Sequence, residues 1–345
     1  MARISQHHIP HGEYHGVVIV GAGMAGMAAA HALLEEGVTA LTLEAEDHVG
    51  GRCATVQFNS GVFDVGAQYF TVRRPEFKPL TDYWARRNAT RVWSQGFPDI
   101  SGVSELAGHP RYHGVGGMGK LVELLAARTP PRLNARVKRL VEGRGCWLIE
   151  VEGQKRIKAD MVVLTPPLPT ALRLISDENT WRMGALLMPL TGIEYLPVLA
   201  VAATLDSPSG LPDPGAAHVD SPVVSWIADN QMKGVSPDSP AVTIHVTRAF
   251  TNANKDAPLE ETGALVTRAA APFLNGRIVA YHTYLWPHGA PLNTLTKPWY
   301  CAEGRAPLYF AGDAFGGGLV EGAAISGMAV GRAIAERLKM KTARA

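Results

Sequence analysis

Residues 17–52 form a phosphate- and ribose-binding arrangement that few folds can hold. Val17-Val18-Ile19-Val20 has the character of a short buried strand and runs directly into Gly21-Ala22-Gly23-Met24-Ala25-Gly26. An Ala-rich helix is expected from Met24 to Glu36. A second apolar strand, Thr39–Leu43, ends on Glu44, and Gly50-Gly51-Arg52 begins six residues after that acid. Gly21 permits the tight strand-to-helix turn, Gly23 lets backbone approach a pyrophosphate, and Gly26 allows close helix–strand packing. The helix N-terminus offers unpaired N–H groups and the positive end of its dipole to phosphates. Glu44, at the C-terminal end of the next strand, is placed to accept hydrogen bonds from ribose hydroxyls. Strand, glycines, helix, acid and GGR together predict a dinucleotide-binding βαβ unit.

The chain has 345 residues, enough for two domains, and 46% hydrophobic content for their cores. A net charge of +2 with mixed signs throughout argues against nucleic acid as a partner. No apolar run reaches the length of a membrane span, and Met1–His15 lacks the apolar core of a secretory signal. Cys53, Cys146 and Cys301 are far apart, which gives neither a disulfide framework nor a CxxC pair. That usage fits a reducing cytoplasm and argues against dithiol–flavin enzymes of the thioredoxin-reductase kind. His7, His8, His11 and His15 cluster near the start, but no buried setting is evident for them. A loose tail is expected there, and no metal site.

Further along, Val115-Gly116-Gly117-Met118-Gly119 precedes a helix over Lys120–Ala127, where Leu121, Leu124 and Leu125 recur at helical spacing. Val137–Leu140 and Cys146–Val151 read as a meander turning at Glu142–Gly145, and Met161–Leu164 as a buried strand halted by Pro166-Pro167. From there to about Lys297 the texture changes. Six prolines fall between Pro208 and Pro240, and runs such as Ala241–Val246 alternate like antiparallel strands. Leu308–Ala311 then restores the α/β pattern, with Gly312-Asp313, a Gly316–Gly318 loop and a long helix over Glu321–Lys339. The fold class expected is α/β: a Rossmann-like FAD/NAD(P)-binding domain assembled from both chain ends, with an inserted α+β substrate domain containing an antiparallel sheet. The division expected is a flexible tail, 1–14; the dinucleotide domain, 15–75, 110–170 and 298–345; and the substrate domain, 76–109 and 171–297.

Two features favour FAD over a nicotinamide. GGR would set Arg52 beside a pyrophosphate. The C-terminal strand, Gly-Asp and helix supply a second helix N-terminus able to face the flavin end, where Asp313 can accept hydrogen bonds from ribityl hydroxyls. Residues 17–52 and 308–331 resemble the flavin amine oxidase superfamily, which includes monoamine oxidase. Phe63-Asp64-Val65-Gly66-Ala67-Gln68-Tyr69-Phe70-Thr71, Val115–Met118, Trp226-Ile227-Ala228-Asp229-Asn230, Tyr281–Pro291 and the ending around Val320-Glu321-Gly322-Ala323 are similar to its bacterial renalase-like group.

That resemblance implies FAD contacts at Gly21, Gly23, Met24, Ala25, Gly26, Glu44, Ala45, Gly51 and Arg52. At the far end it implies Gly312, Asp313, Glu321, Gly322 and Ala323. Val137 would set its backbone against the adenine, and Gly66, Ala67, Gln68 and Tyr69 would lie near the isoalloxazine. The loop Phe315–Leu319 has no thiol, so the FAD is expected to be non-covalent. Leu319 stands where the renalase-like group often has Arg, so an anion contact is not expected there.

Flavin N5 accepts a hydride and the reduced ring passes electrons to dioxygen, so no strong general base is required. Candidate catalytic residues are Gln68, Tyr69, Trp226, Asn230, His245, His282 and Tyr284, with Trp286 as a further aromatic wall. Each also has a purely structural reading: core aromatics for the tryptophans, a turn residue for Asn230, a strand histidine for His245. Lys120 reads as a solvated helix residue. The partners expected are a small planar substrate and oxygen. For the renalase-like group the substrates are misplaced-hydride isomers of NAD(P)H, oxidised to β-NAD(P)+. Amine or amino-acid oxidation, or a flavin-binding electron-transfer subunit, are the alternatives.

Overall fold

The first apolar run forms strand β1 (Tyr14–Val20), whose last four residues are buried. The structure is a computed structural model that describes residues 12–103 and 108–343. His7, His8 and His11 therefore lie outside the described residues, while Tyr14 and His15 already belong to β1. Helix α1 (Met24–Glu35) follows, and strand β2 (Leu41–Leu43) is shorter than the apolar run that predicts it. The chain closes α1 with the Val38 N–H donated to the Leu33 carbonyl at 2.9 Å, and pairing with β1 begins only at Leu41.

After the Gly51–Cys53 turn come β3 (Thr55–Phe58), β4 (Gly61–Asp64) and α2 (Lys78–Ala85). The pair β5 (Thr90–Ser94) and β6 (Arg111–Gly114) leads to α3 (Met118–Ala126), which starts two residues before the predicted helix. Strands β7 (Val137–Glu142), β8 (Trp147–Val151) and β9 (Ile157–Leu164) precede the short helices α4 (Leu168–Arg173) and α5 (Asp177–Leu187). The middle of the chain supplies β10 (Tyr195–Leu205), β11 (Ala216–His218), β12 (Val224–Asp229) and β13 (Ala241–Val246). Helices α6 (Arg248–Asn254) and α7 (Leu259–Ala270) and the long strand β14 (Ile278–Pro291) complete that region. Finally β15 (Tyr300–Glu303), β16 (Pro307–Phe310) and α8 (Leu319–Thr342) return to the first sheet.

The fold is α/β, with two main sheets. One has the order β15-β16-β9-β1-β2, with the β7–β8 hairpin joined to the first residues of β9. Within it β16, β9, β1 and β2 are mutually parallel, so Phe310, Leu164, Val20 and Leu43 end side by side. The other is antiparallel, β11-β12-β13-β10-β14. One core lies beneath α1, α3 and α8, and Leu80, Tyr83 and Trp84 of α2 join it. On the opposite face Leu168, Ala171, Met183 and Leu187 of α4 and α5 share a core with β7 and β8. Both helical segments bury their apolar sides against the parallel sheet, while Trp93 and Phe97, from the same stretch as α2, pack with Trp226 of the antiparallel one.

Small residues set the contact between α1 and α8. A Cβ on Gly327 would stand 2.1 Å from the Ala25 carbonyl oxygen, and one on Gly331 would stand 2.6 Å from that of Ala29. Backbone meets backbone there, so nothing flexible can yield. Gly327→Ala is expected to lower stability by about 1–3 kcal/mol through overpacking. Gly184→Ala, in α5 with open space around it, is expected to raise stability by about 0.4–1 kcal/mol. Denaturant midpoints at constant m-value check both, and equal effects would contradict the packing account.

Candidate functional site

A cavity of about 890 Å³ opens where the four parallel strands end, and it runs on to the face of the antiparallel sheet. Carboxyl ends of strands are where an open α/β sheet binds ligands, because connecting loops part there. Gly21 leaves β1 at φ +100°, and a Cβ on it would meet Thr165 Oγ1 at 2.6 Å. Gly50 donates its N–H to the Ala22 carbonyl at 3.0 Å, which folds the GGR turn onto the first βα turn. Gly23 caps α1 and Gly318 caps α8, and neither helix has a side-chain cap. Both N-termini thus carry orphan N–H groups. The Glu44 carboxylate is held in place by the Ala22 N–H at 2.6 Å and the Glu46 N–H at 3.1 Å.

Arg52 and Asp313 meet across the cavity wall. The guanidinium donates through Nη1 to Asp313 Oδ2 at 2.5 Å and through Nη2 to Oδ1 at 2.9 Å. Nη1 also donates to the His288 and Gly289 carbonyls, each at 3.1 Å, at the end of β14. The Tyr195 hydroxyl donates to Asp313 Oδ1 at 3.3 Å. Burial, followed by the Asp313 charge, holds that phenol far above its usual range. Glu321 Oε1 accepts the Arg73 and Arg74 N–H groups at 2.7 and 2.8 Å, tying α8 to the loop before α2.

The residues read from the sequence divide cleanly. Gly21, Gly23, Met24, Ala25, Glu44, Ala45, Gly51, Arg52, Gly66, Ala67, Val137, Gly312, Asp313, Glu321 and Ala323 line the cavity, as do Gln68, Tyr69, Trp226, His245 and Trp286. Gly26 and Gly322 do not. A Cβ on Gly26 would stand 1.9 Å from the Gly21 carbonyl oxygen, so its part is packing. Asn230 is withdrawn from the cavity, because its Nδ2 donates to Thr243 Oγ1 at 2.9 Å and its Oδ1 accepts the Asp64 N–H at 3.4 Å. Tyr284 and His282 share the face of β14 that carries Trp286, but each two-residue step moves about 7 Å along the strand. Tyr284 packs with Phe63 and Val65, and His282 lies against Phe58, beneath the β3–β4 hairpin.

His218, Ser225 and Cys53 also line the cavity. Val224 pairs with Val246 and Trp226 with His245, so β12 holds one residue more than β13 at Ser225. Such a bulge re-aims neighbouring side chains, and period-two alternation does not announce it. His245 stacks edge-on against Trp226 at 5.4 Å between ring centroids, and its buried Nε2 has no partner among the described residues. Burial pushes the Cys53 thiol up to about 12, so it stays protonated and unreactive.

The profile of NAD(P)-binding Rossmann-like domains matches residues 19–86, and that of flavin containing amine oxidoreductases matches 94–335, most of the chain. The chain belongs to the flavin containing amine oxidoreductase family. FAD is accordingly its cofactor, and the cavity fits it. Two uncapped helix N-termini and a glycine cradle lie at one end, with an unpartnered ring nitrogen at the other.

Among curated proteins, 55 residues are 47% identical to a possible lysine-specific histone demethylase 1 of Drosophila melanogaster, covering 16% of this chain and 6% of that protein. Another 66-residue match is 39% identical to putrescine oxidase of Kocuria rosea, covering 19% of this chain and 14% of the relative. These matches span only a small part of the relatives' length. Solved structures share the fold over nearly the whole chain. Putrescine oxidase bound to putrescine has a TM-score of 0.68 at 17% identity, covering 94% of this chain and 99% of its own. Cyclohexylamine oxidase from Brevibacterium oxydans IH-35A has 0.67 at 16% identity, covering 96% and 100%. Among the described residues no helix is long and apolar enough to cross a membrane.

Burial, and then the nearby Lys233 charge, push the His245 imidazole down to about 4, and the same two causes act on His113 with the same result. Unfolded, both would titrate near about 6.5. Between these values the unfolded chain binds protons that the folded chain refuses, so stability falls as pH drops from about 6.5 to about 4. Unfolding free energy measured across that window should fall less steeply in His245→Asn and His113→Asn than in the wild type. Unchanged slopes would contradict the assignment.

Proposed function

We propose that this chain is a FAD-dependent oxidase of a small planar substrate, of the renalase-like kind. Its substrates would be misplaced-hydride isomers of NAD(P)H, released as β-NAD(P)+. One observation carries this reading. The antiparallel sheet contributes Val198, His218, Ser225, Trp226, His245, Trp286 and Gly289 to the cavity, and none is acidic. Among the described residues, the acids that line the cavity, Glu44, Asp313 and Glu321, belong to the dinucleotide half. Among the described residues an ammonium substrate would find no carboxylate at the sheet end, and a neutral heteroaromatic ring would find aromatic walls and hydrogen-bonding groups.

When bound, FAD supplies the two-electron chemistry: it accepts a hydride at N5 and returns electrons to dioxygen, giving hydrogen peroxide. The chain's own groups do the rest. Glu44 would accept hydrogen bonds from the adenosine ribose, and the N-termini of α1 and α8 would face the phosphates and ribityl chain. Arg52 and Asp313 would act there as a neutral pair. Trp226 and Trp286 would wall the substrate ring. His245, neutral at working pH, would offer Nε2 to a carboxamide or ring substituent. No thiol lies in the Phe315–Leu319 loop and Cys53 stays protonated, which supports FAD held without a covalent tether. The free cysteines support a reducing, cytoplasmic setting.

Anaerobic mixing with α-NADH preparations should bleach the flavin's visible band rapidly, while cyclohexylamine and putrescine leave it intact. Bleaching by the amines alone would replace this reading with amine oxidation. Bleaching by neither, with slow reoxidation in air, would favour an electron-transfer role. Trp226→Ala should retain FAD and lose about tenfold or more in kcat/KM, which stopped-flow reduction measures. An unchanged kcat/KM would remove Trp226 from the substrate site.

A further inference from the structure

A buried ion pair lies behind the cavity wall, between the two sheets. Lys233 follows β12 and Asp64 ends β4, and both side chains are fully buried. Lys233 Nζ donates to Asp64 Oδ2 at 2.7 Å and to Gln68 Oε1 at 3.3 Å, and it sits 4.6 Å from the Trp93 ring centroid. Asp64 Oδ1 accepts the Thr55 hydroxyl at 2.6 Å and the Met118 N–H at 2.8 Å. The Asp64 carbonyl accepts Gln68 Nε2 at 2.5 Å and the Thr243 hydroxyl at 3.0 Å.

The donors and acceptors leave Gln68 one orientation. An ammonium cannot accept, so Oε1 must face Lys233, and Nε2 must face the carbonyls of Asp64 and of Gly66, the latter at 3.4 Å. Both ends of the Gln68 amide are therefore engaged by the protein itself. Its part is to hold the turn Gly66–Tyr69, every residue of which lines the cavity. A fully buried ion pair adds little net stability, because desolvating two charges offsets their attraction. What it can supply is geometry.

We propose that Lys233 is a positioning residue which, through Asp64 and Gln68, fixes the Gly66–Tyr69 wall against the flavin end of bound FAD. The proposal rests on the assignment of this cavity to FAD, and it is independent of the choice of substrate. The wall is a turn with no strand partners of its own. The Ala67 N–H anchors its start on the Arg52 carbonyl at 2.9 Å, and the Gln68 side chain, held by Lys233 and the Asp64 carbonyl, fixes the rest.

Three variants test it: Gln68→Leu, the charge-balanced Lys233→Met with Asp64→Asn, and their combination. The readouts are the FAD dissociation constant by fluorescence titration and the visible circular dichroism of bound flavin, with melting temperature as the control. Gln68→Leu should weaken FAD binding by about tenfold and change the flavin dichroism. The charge-balanced pair should do the same, and the combination should do no more than either. Normal affinity and dichroism in Gln68→Leu overturn the proposal, whether or not the charge-balanced pair folds. So do additive losses in the combination, or a lower melting temperature in the pair with FAD binding unchanged. A wild-type chain that takes up no FAD overturns the cavity assignment itself, and the proposal with it.

Discussion

The close approach of α8 to α1 is the contact on which the site depends. Gly327 and Gly331 bring the last helix of the chain against the carbonyls of Ala25 and Ala29. With β16 paired directly to β9, that contact brings the N-terminus of α8 to the mouth shared with α1. Only then can Asp313 reach Arg52, 261 residues earlier, with both of its oxygens. A cavity built from residues near both ends of a chain needs such a brace, since neither half can bury the cofactor alone. Because Arg52 also holds the His288 and Gly289 carbonyls, the same pair ties the antiparallel sheet to the dinucleotide half.

Much of the dinucleotide half was legible because its features are local. Gly21 must turn at positive φ, Glu44 must end β2, and helices that face phosphates begin on glycine; each leaves a mark within a few residues. The substrate side was read less well, for physical reasons. Asn230, His282 and Tyr284 sit in segments whose neighbours do reach the cavity, but which side chain points inward depends on sheet pairing and on the β3–β4 hairpin above. Ser225 was missed because the bulge in β12 breaks the alternation that would have marked it, and His218 because three-residue β11 is too short to show a pattern. Arg52 was expected beside a phosphate. Its tie to Asp313 is a contact across 261 residues that no local pattern contains.

Charge is sorted along the cavity. Its acids lie in the dinucleotide half, where two are already engaged by backbone N–H groups and one by Arg52. The sheet half has aromatic rings and the His245 imidazole, held neutral by burial and by Lys233. Family membership alone does not select between amines and nicotinamides. This sorting bears on the choice, since a cationic substrate would need a carboxylate that the antiparallel sheet does not contribute.

Both ends of the chain are proposed to hold one extended FAD together, without a covalent bond. Protein purified without added flavin, then denatured with acid or heat and centrifuged, tests it directly. The account predicts a yellow protein with one flavin per chain, released entirely into the supernatant and identified there as FAD. A colourless protein that takes up no FAD, or flavin that stays with the pelleted chain, would contradict it.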